Sequence, residues 1–405
     1  MIKVVFVSHT AHLGGAETVL LRFLAEVKHF EPIVFLPPGQ LAEELVAKGV
    51  RIVHAQTLGK LNKQGNIFWP LLLVWRLMGA NLELLRCLRQ HQPQVVQANT
   101  LYAIIYSILP AKILGIPLIW HVHDFVGHHL LHSLMSRWFS RWVGHTITAS
   151  ESQRQDLISA GVPAHRITTM YSSIFPLRDE KDDAGVADRI AELRQGHERV
   201  FGVIGTLEER KGTMEILQAL ELANGMAGAP VAGKAGKSLG GTVGGKIGLV
   251  IAGGALDPLQ LEYKANLVQF ISDHQLHKEV LFLGHIRQIK TFLSGIDALI
   301  HFPKYPDPLP TVILEAMISD CPVIVSDNGG NPEMVQNGRW GRVVPAQDSA
   351  ALATAMREPP PEVFSLDEKR AFSDFFSPER KEREHERLYK TLLDGKDEDA
   401  DRDHS

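Results

Sequence analysis

The chain has almost no cysteine: two in 405 residues, Cys87 and Cys321, with no metal-like spacing between them. That excludes a disulfide-stapled scaffold and leaves two buried thiols in a reducing compartment as the expectation. Long apolar runs are equally scarce. The longest, such as 67–75, fall far short of the ~20 residues that cross a bilayer, so no spanning helix is expected. The opening MIKVVFVSH reads as a buried strand and lacks the apolar region and small-residue cleavage site of a secretory signal, which points to the cytoplasm. An excess of one charge sign is missing too. The formal −4 resides in residues 394–405, where six acids face Lys396 and Arg402, so the remaining body is neutral and offers no general attraction to nucleic acid. The D-E-D, D-A-D and D-R-D triplets of that tail lie among almost no apolar residues and read as disorder, not as a metal-binding D-x-D.

What is present is a regular alternation of strand-length apolar runs and longer helical patterns, the signature of parallel α/β architecture. The length implies two domains. One series of strands runs through 2–8, 32–37, 51–55, 94–99, 117–122 and 145–150, and a second through 200–205, 248–254, 280–284, 298–302, 322–327 and 341–345. A charged stretch after residue 177 separates them and puts a boundary near 178. Two Rossmann-like domains facing each other across a cleft follow, with ligands at the carboxyl ends of the strands. Residues 225–246 are glycine-rich, and 228–235 come within one residue of a phosphate-cradling P-loop. Ala235 stands where that loop needs a hydroxyl and no strand leads into it, so the segment reads as a flexible surface insertion.

Four places carry candidate chemistry. Gly14 and Gly15 end the first strand just before a helical pattern, where a backbone can approach an anion closely, although a plain turn uses the same residues and the G-x-G-x-x-G spacing is absent. The segment WHVHDF puts His121, His123 and Asp124 at a strand end, with His121 and His123 on one side; a satisfied core histidine is the alternative for either ring. His128, His129 and His132 follow, but His129 occupies the place of the Glu in a zincin pair and no third ligand is evident, so no metal is expected. In GTLEERKG, Arg210 and Lys211 can neutralise a phosphate or diphosphate, unless they are ordinary solvated loop charges. In KYPDPLPTVILEAM, Pro310 suits a helix's first turn, and the N–H groups of Thr311 and Val312 are then free to meet a ligand. Glu315 lies about one turn in. A carboxylate on that apolar helix needs donors such as ribose hydroxyls, or else it serves the helix dipole or stays exposed.

With these residues in view, the chain resembles the retaining glycosyltransferases of family 4. The resemblance rests on GGAE (14–17), the His-Asp pair (123–124), TASESQRQDL (148–157), RKG (210–212), LEAM (314–317) and GGNPEMV (329–335), in order through both halves. It implies the GT-B fold, with an acceptor-binding domain over 1–178, a nucleotide-sugar domain over 179–375, a helix over 376–393 crossing back to the first domain, and the acidic tail over 394–405. By position, Glu315 would hold the ribose, Asp307 the donor sugar's hydroxyls and Lys211 the diphosphate. Gly15 would leave room for the donor, and His123 would lie beside the anomeric carbon. Gly14, Arg210, Leu309, Thr311 and Val312 would complete the donor site. No cofactor or metal is implied beyond the nucleotide-diphosphate sugar, and the acceptor would be a glycan, a lipid-linked molecule or a small molecule.

Four positions depart from the family's pattern. Thr206 replaces an arginine that partners the lysine, Asp307 is one methylene shorter than the usual Glu, Leu309 and Pro310 replace Phe-Gly, and Ser172 and Ser173 replace Asn-Gly. Pro310 thereby removes one N–H from the donor loop. The helical pattern over 129–145 combines Leu, Trp and Phe with Arg137 and Arg141, which suits either an anionic membrane surface or burial. A sugar-nucleotide epimerase or hydrolase and a catalytically silent nucleotide-sugar-binding relative are the rival readings.

Overall fold

The computed structural model describes residues 1–59, 69–126, 130–175, 177, 185–226, 230–232, 238–242, 245–360 and 365–402. The chain divides into two compact units: unit 1 comprises residues 1–173 and everything from Asp374 onward, and unit 2 comprises Ile174–Ser373. The chain thus leaves unit 1 at Ser173, a few residues before the boundary expected at 178, a position that itself lies outside the described residues.

Unit 1 is built on a seven-stranded sheet, with β1 (Ile2–Val7), β2 (Phe30–Leu36), β3 (Arg51–His54), β4 (Val95–Ala98), β5 (Leu118–His121), β6 (His145–Thr148) and β7 (Ile167–Thr169) in the order β3-β2-β1-β4-β5-β6-β7. Every neighbouring pair is parallel. The strands are unbroken apolar runs because helices cover both faces of a parallel sheet; residues 4–7 of β1 and all of β4 and β5 are buried. Six strands fall where the apolar runs predict them. The seventh, β7, has three residues and one buried apolar side chain, too short to carry a pattern.

Unit 2 repeats the arrangement with β8 (Arg199–Ile204), β11 (Ile247–Ala252), β12 (Val280–Gly284), β13 (Ala298–His301), β14 (Val323–Ser326) and β15 (Arg342–Val344) in the order β12-β11-β8-β13-β14-β15, again all parallel. The chain starts in the middle, builds outward through β11 and β12, then returns to build the other half. That reversal leaves a switch point between β8 and β13, where doubly wound sheets receive ligands. Between the helix Thr213–Gly225 and β11, a short antiparallel pair, β9 (Pro230–Ala232) with β10 (Ser238–Thr242), stands in the glycine-rich stretch. Most of the P-loop-like segment 228–235 lies outside the described residues. Helix starts follow local chemistry: Thr100 caps Leu101–Ile113 by accepting from the Ala103 N–H, and Asp257 caps Pro258–Asp273 by accepting from the Gln260 N–H, with Pro258 at the first position.

The last helix, Pro378–Arg402, packs on unit 1. The Tyr389 hydroxyl donates to Gln97 Oε1 at 2.8 Å, its ring meets Phe30 edge-on at 5.2 Å, and the His385 ring lies 4.7 Å from Phe23. The Glu382 carboxylate accepts from the backbone N–H groups of Lys28 and His29. Residues 394–402, expected to be disordered, continue this helix to Arg402; once the docked turns form, each further residue adds a hydrogen bond at the cost of fixing one residue only. Residues 403–405 lie outside the described residues. Replacing Tyr389 by Phe leaves the buried Gln97 carbonyl oxygen without this donor, and urea denaturation is expected to show a loss of about 1–3 kcal/mol.

Candidate functional site

In unit 2 the loops that follow β8, β13 and β14 converge beside the switch point. The loop after β8 carries Arg210 and Lys211 in a 3-10 turn and ends at Gly212, whose φ is +70°. A Cβ there would lie 2.0 Å from the Phe302 carbonyl oxygen, so only glycine lets this loop pass the end of β13. The Lys304 N–H then donates to the Arg210 carbonyl at 3.0 Å. Gly329, after β14, has φ +62°, and a Cβ would lie 2.3 Å from the Asp307 carbonyl oxygen; its neighbour Gly330 donates to that oxygen at 2.9 Å. The GGNPEMV motif thereby fixes the backbone of Asp307. Asn331 completes the clasp by donating from Nδ2 to Ser326 Oγ at 3.1 Å.

This scaffold brings two sequence-predicted residues into direct contact. Lys211 Nζ lies 2.7 Å from Asp307 Oδ2, where separate roles on diphosphate and sugar were expected. Arg210 Nη1 is 3.6 Å from the same oxygen and its Nη2 is 3.0 Å from Glu208 Oε1, so Arg210 stands in the same cluster. Asp307 is 7% exposed. Burial, the largest single influence, would raise its carboxyl pKa, but Lys211, through its charge and its hydrogen bond, and the neighbouring His301 and Arg210 together outweigh it and hold the carboxyl below its usual value. His301, the last residue of β13, places Nε2 3.8 Å from the same carboxylate, beyond hydrogen-bond reach. Burial drives its pKa down to about 3, so the ring is neutral and Nε2 is enclosed without a hydrogen-bond partner among the described residues. Sequence reasoning missed His301; its signal is one polar residue closing an otherwise apolar strand.

The helix after Asp307 opens at Thr311, with Pro310 as its cap and not its first residue. Ile313, Leu314, Ala316 and Met317 are buried, which leaves Thr311, Val312 and Glu315 half-buried toward the other side. Leu309 is buried. The first N–H groups of this helix precede its first internal bond, from the Ile313 N–H to the Pro310 carbonyl.

In unit 1, Gly14 caps the helix Gly15–Glu26, and a Cβ on Gly15 would meet nothing within 4 Å, so packing does not require glycine there. Glu17 of the same motif has its carboxyl pKa raised, chiefly by burial, with Asp124 adding like-charge repulsion. His121 is buried and His123 half-buried, with ring centroids 4.2 Å apart. Burial, and then the Lys381 charge, hold His123 down to about 4. The TASESQRQDL motif explains how this loop is held: Gln153 Nε2 donates to the Asp124 carbonyl at 3.0 Å and Asp156 accepts from the Val126 N–H at 2.7 Å. His128 and His129 lie outside the described residues, and among the described residues no group of three metal-ligating side chains comes together. No described helix is long and apolar enough to cross a membrane. A concavity of about 470 Å³ in unit 2, lined by Lys246, His277 and Lys278 among others, lies at the opposite, amino-terminal ends of the strands.

Comparison with known proteins matches both halves of the chain. A family model described as Glycosyltransferase Family 4 covers residues 13–174, and one described as Glycosyl transferases group 1 covers 187–359. A glycogen synthase of Mycobacterium tuberculosis is 25% identical over 337 residues, which span 79% of this chain and 74% of that protein. Among solved structures, HepE of Anabaena in complex with UDP-glucose has a TM-score of 0.74 at 20% identity, over 96% of this chain and 100% of that one. Sucrose-phosphate synthase from Thermosynechococcus elongatus has a TM-score of 0.71 at 16% identity, over 98% and 100%. These two likenesses are statements of fold.

The cluster carries a pH signature. The depressed Asp307 carboxyl contributes stability that is present above its unfolded value of 3.8 and is lost as the pH falls through the lower folded value. His301 acts at higher pH: the unfolded chain takes up a proton near 6.5 that the folded protein refuses until about 3, so stability falls as the pH drops below 6.5. Urea denaturation at pH 7.5 and 5.5 is expected to show this loss in the wild type, with a smaller loss in His301→Gln by up to about 1.4 kcal/mol per pH unit.

Proposed function

This chain belongs to glycosyltransferase family 4, and from that premise we propose that it moves a sugar, with retention at the anomeric carbon and without a metal ion, from a nucleotide-sugar donor to an acceptor. Unit 2 takes the donor, and unit 1 takes a glycan, lipid-linked or small-molecule acceptor. The observation that carries this reading is the Lys211, Arg210 and Asp307 cluster beside the switch point of unit 2. Charge grows on the diphosphate as the sugar departs, and preplaced cations stabilise it without having to reorganise. Lys211 has three donors, so it can keep Asp307 and still reach a phosphate oxygen. Arg210 supplies the second cation in place of the arginine absent at Thr206. The N–H groups of Thr311 and Val312 face the phosphates, Leu309 lines the same loop, and Glu315 accepts from the ribose hydroxyls. Asp307 receives the sugar's hydroxyls, while Gly14 and Gly15 leave room for it. His123, neutral at pH 7, offers a hydrogen bond at the reacting carbon and no charge. The leaving phosphate accepts the acceptor's proton.

A second reading concerns location: the protein works in the cytoplasm, against the inner face of the membrane. Trp75, Met78 and Leu82 stand exposed on the helix Trp69–His91, Leu109 and Ile113 on its neighbour Leu101–Ile113, and Leu134 and Trp138 on Leu130–Phe139. Trp142 follows, with Lys112 Nζ 3.9 Å above its ring and Arg137 and Arg141 exposed beside it. Aromatic rings flanked by cations suit an anionic lipid surface.

Titration with UDP-, GDP- and ADP-sugars is expected to find at least one that binds, and Lys211→Ala should lower kcat/KM for that donor by about 10²-fold or more. Binding to none of them would sink the donor assignment. Flotation with phosphatidylglycerol vesicles is expected to carry the wild type upward and to leave a Trp138→Ala, Trp142→Ala variant behind; a wild type that stays at the bottom removes the membrane reading.

A further inference from the structure

Gln97 is 1% exposed in β4, a strand whose other residues are apolar and buried. A primary amide taken out of water is costly unless both its ends find hydrogen-bond partners. Here both do. The Tyr389 hydroxyl, brought in by the helix Pro378–Arg402, donates to Gln97 Oε1 at 2.8 Å, and burial keeps that hydroxyl protonated by pushing its pKa well above the usual value. Gln97 Nε2 lies 3.2 Å from Asn99 Oδ1 and 3.4 Å from His121 Nδ1. Gln97 is opposite Ile119 in the β4–β5 register, so Asn99 and His121, each two residues further on, stand on the same side of the sheet at its carboxyl end.

These contacts have a direction. An amide oxygen only accepts and an amide nitrogen only donates, so once Tyr389 donates to the oxygen, the nitrogen must face acceptors. His121 Nδ1 is therefore the lone-pair nitrogen, and the proton of the neutral ring sits on Nε2. Burial first, and then the neighbouring His123 and Lys381, hold that ring neutral. Asn99 likewise turns its oxygen toward Gln97; its own donor, Nδ2, has no hydrogen-bond partner among the described residues. The His123 ring centroid lies 4.2 Å from that of His121, at an interplanar angle of 40°, so the way one ring is turned sets the face against which the other packs.

We propose that Gln97 is a positioning residue for the transfer reaction: held by Tyr389, it fixes the tautomer and the ring plane of His121, and through that ring the seat of His123. This rests on the reading that His123 meets the reacting carbon, and it adds a chain of contacts that runs from the last helix to that ring. Gln97 belongs to no motif; its signal is a single amide in an otherwise apolar strand.

The test is nitrogen-15 NMR of the full chain labelled at histidine, at pH 7.5, in the wild type, Gln97→Met and Tyr389→Phe, with the His121 and His123 signals assigned from His121→Gln and His123→Gln. Wild-type His121 is expected to carry its proton on Nε2 alone. In Gln97→Met its two ring nitrogens should move toward each other as both tautomers become populated, and the His123 signals should shift with them. Tyr389→Phe, which frees the amide to turn over, should do the same to a smaller extent. A wild-type proton on His121 Nδ1, or His123 signals that stay in place in both variants, overturns the proposal. Kinetics give the second readout: with water as acceptor, release of nucleotide from whichever of UDP-, GDP- and ADP-glucose binds should fall about tenfold or more in kcat for Gln97→Met, with KM held within about twofold. An unchanged kcat, or a loss carried by KM, overturns the role in transfer. A wild type that binds none of the three faults the donor reading alone, and the NMR comparison, which uses no nucleotide, still decides the seat of His123.

Discussion

Two backbones can pass close to Asp307 and Phe302 only because no side chain stands between them. At Gly212 and Gly329 a methyl group would overlap a carbonyl oxygen, and both residues sit in the left-handed region that other residues enter at a cost. Everything chemical in unit 2 depends on that approach. It brings the loop after β8 against the loop after β13, which puts the Lys211 ammonium 2.7 Å from the Asp307 carboxylate. It also pins Asp307 through its own carbonyl, so the carboxylate is held by the backbone of a neighbouring loop and not by its charge partners alone.

The two units treat buried polarity in different ways. Unit 2 buries a carboxylate and answers it with two cations, so the charged state is the stable one. Unit 1 buries three imidazoles and a lysine near one another, and like charges with little water favour fewer protons. The rings give theirs up, and the Lys381 pKa is itself lowered to about 8, chiefly by burial. In unit 2 the carboxylate's charge is answered by Lys211 and Arg210, whereas in unit 1 the His385 Nε2 has no hydrogen-bond partner among the described residues.

Legibility tracked the range of the interaction. Strands buried on both faces must be apolar throughout, so twelve of the sheet strands could be read from short runs. The three-residue β7 and the β9–β10 pair could not, because their pairing comes from a neighbour and not from their own composition. The helix after Asp307 was legible as a helix, but its start shifted by one residue because Pro310 adopts an extended ψ of 110°. The acidic end of the last helix was misread for a related reason: its composition argues for disorder, while its conformation continues the docked turns before it.

The sequence by itself determined the two series of strands, the loops at their carboxyl ends and the residue types those loops carry, since each follows from burial, period and turn chemistry within a few neighbours. Only the tertiary structure decided which of those residues meet. Lys211 and Asp307 are 96 positions apart, and the His121 ring in β5 lies 6.4 Å from that of His385 in the last helix. No local pattern encodes such distances, because they are fixed by strand order and by where a helix docks. The same holds for protonation: the pKa of His301 is set by the burial and charges around it, and those exist only once the sheet is assembled.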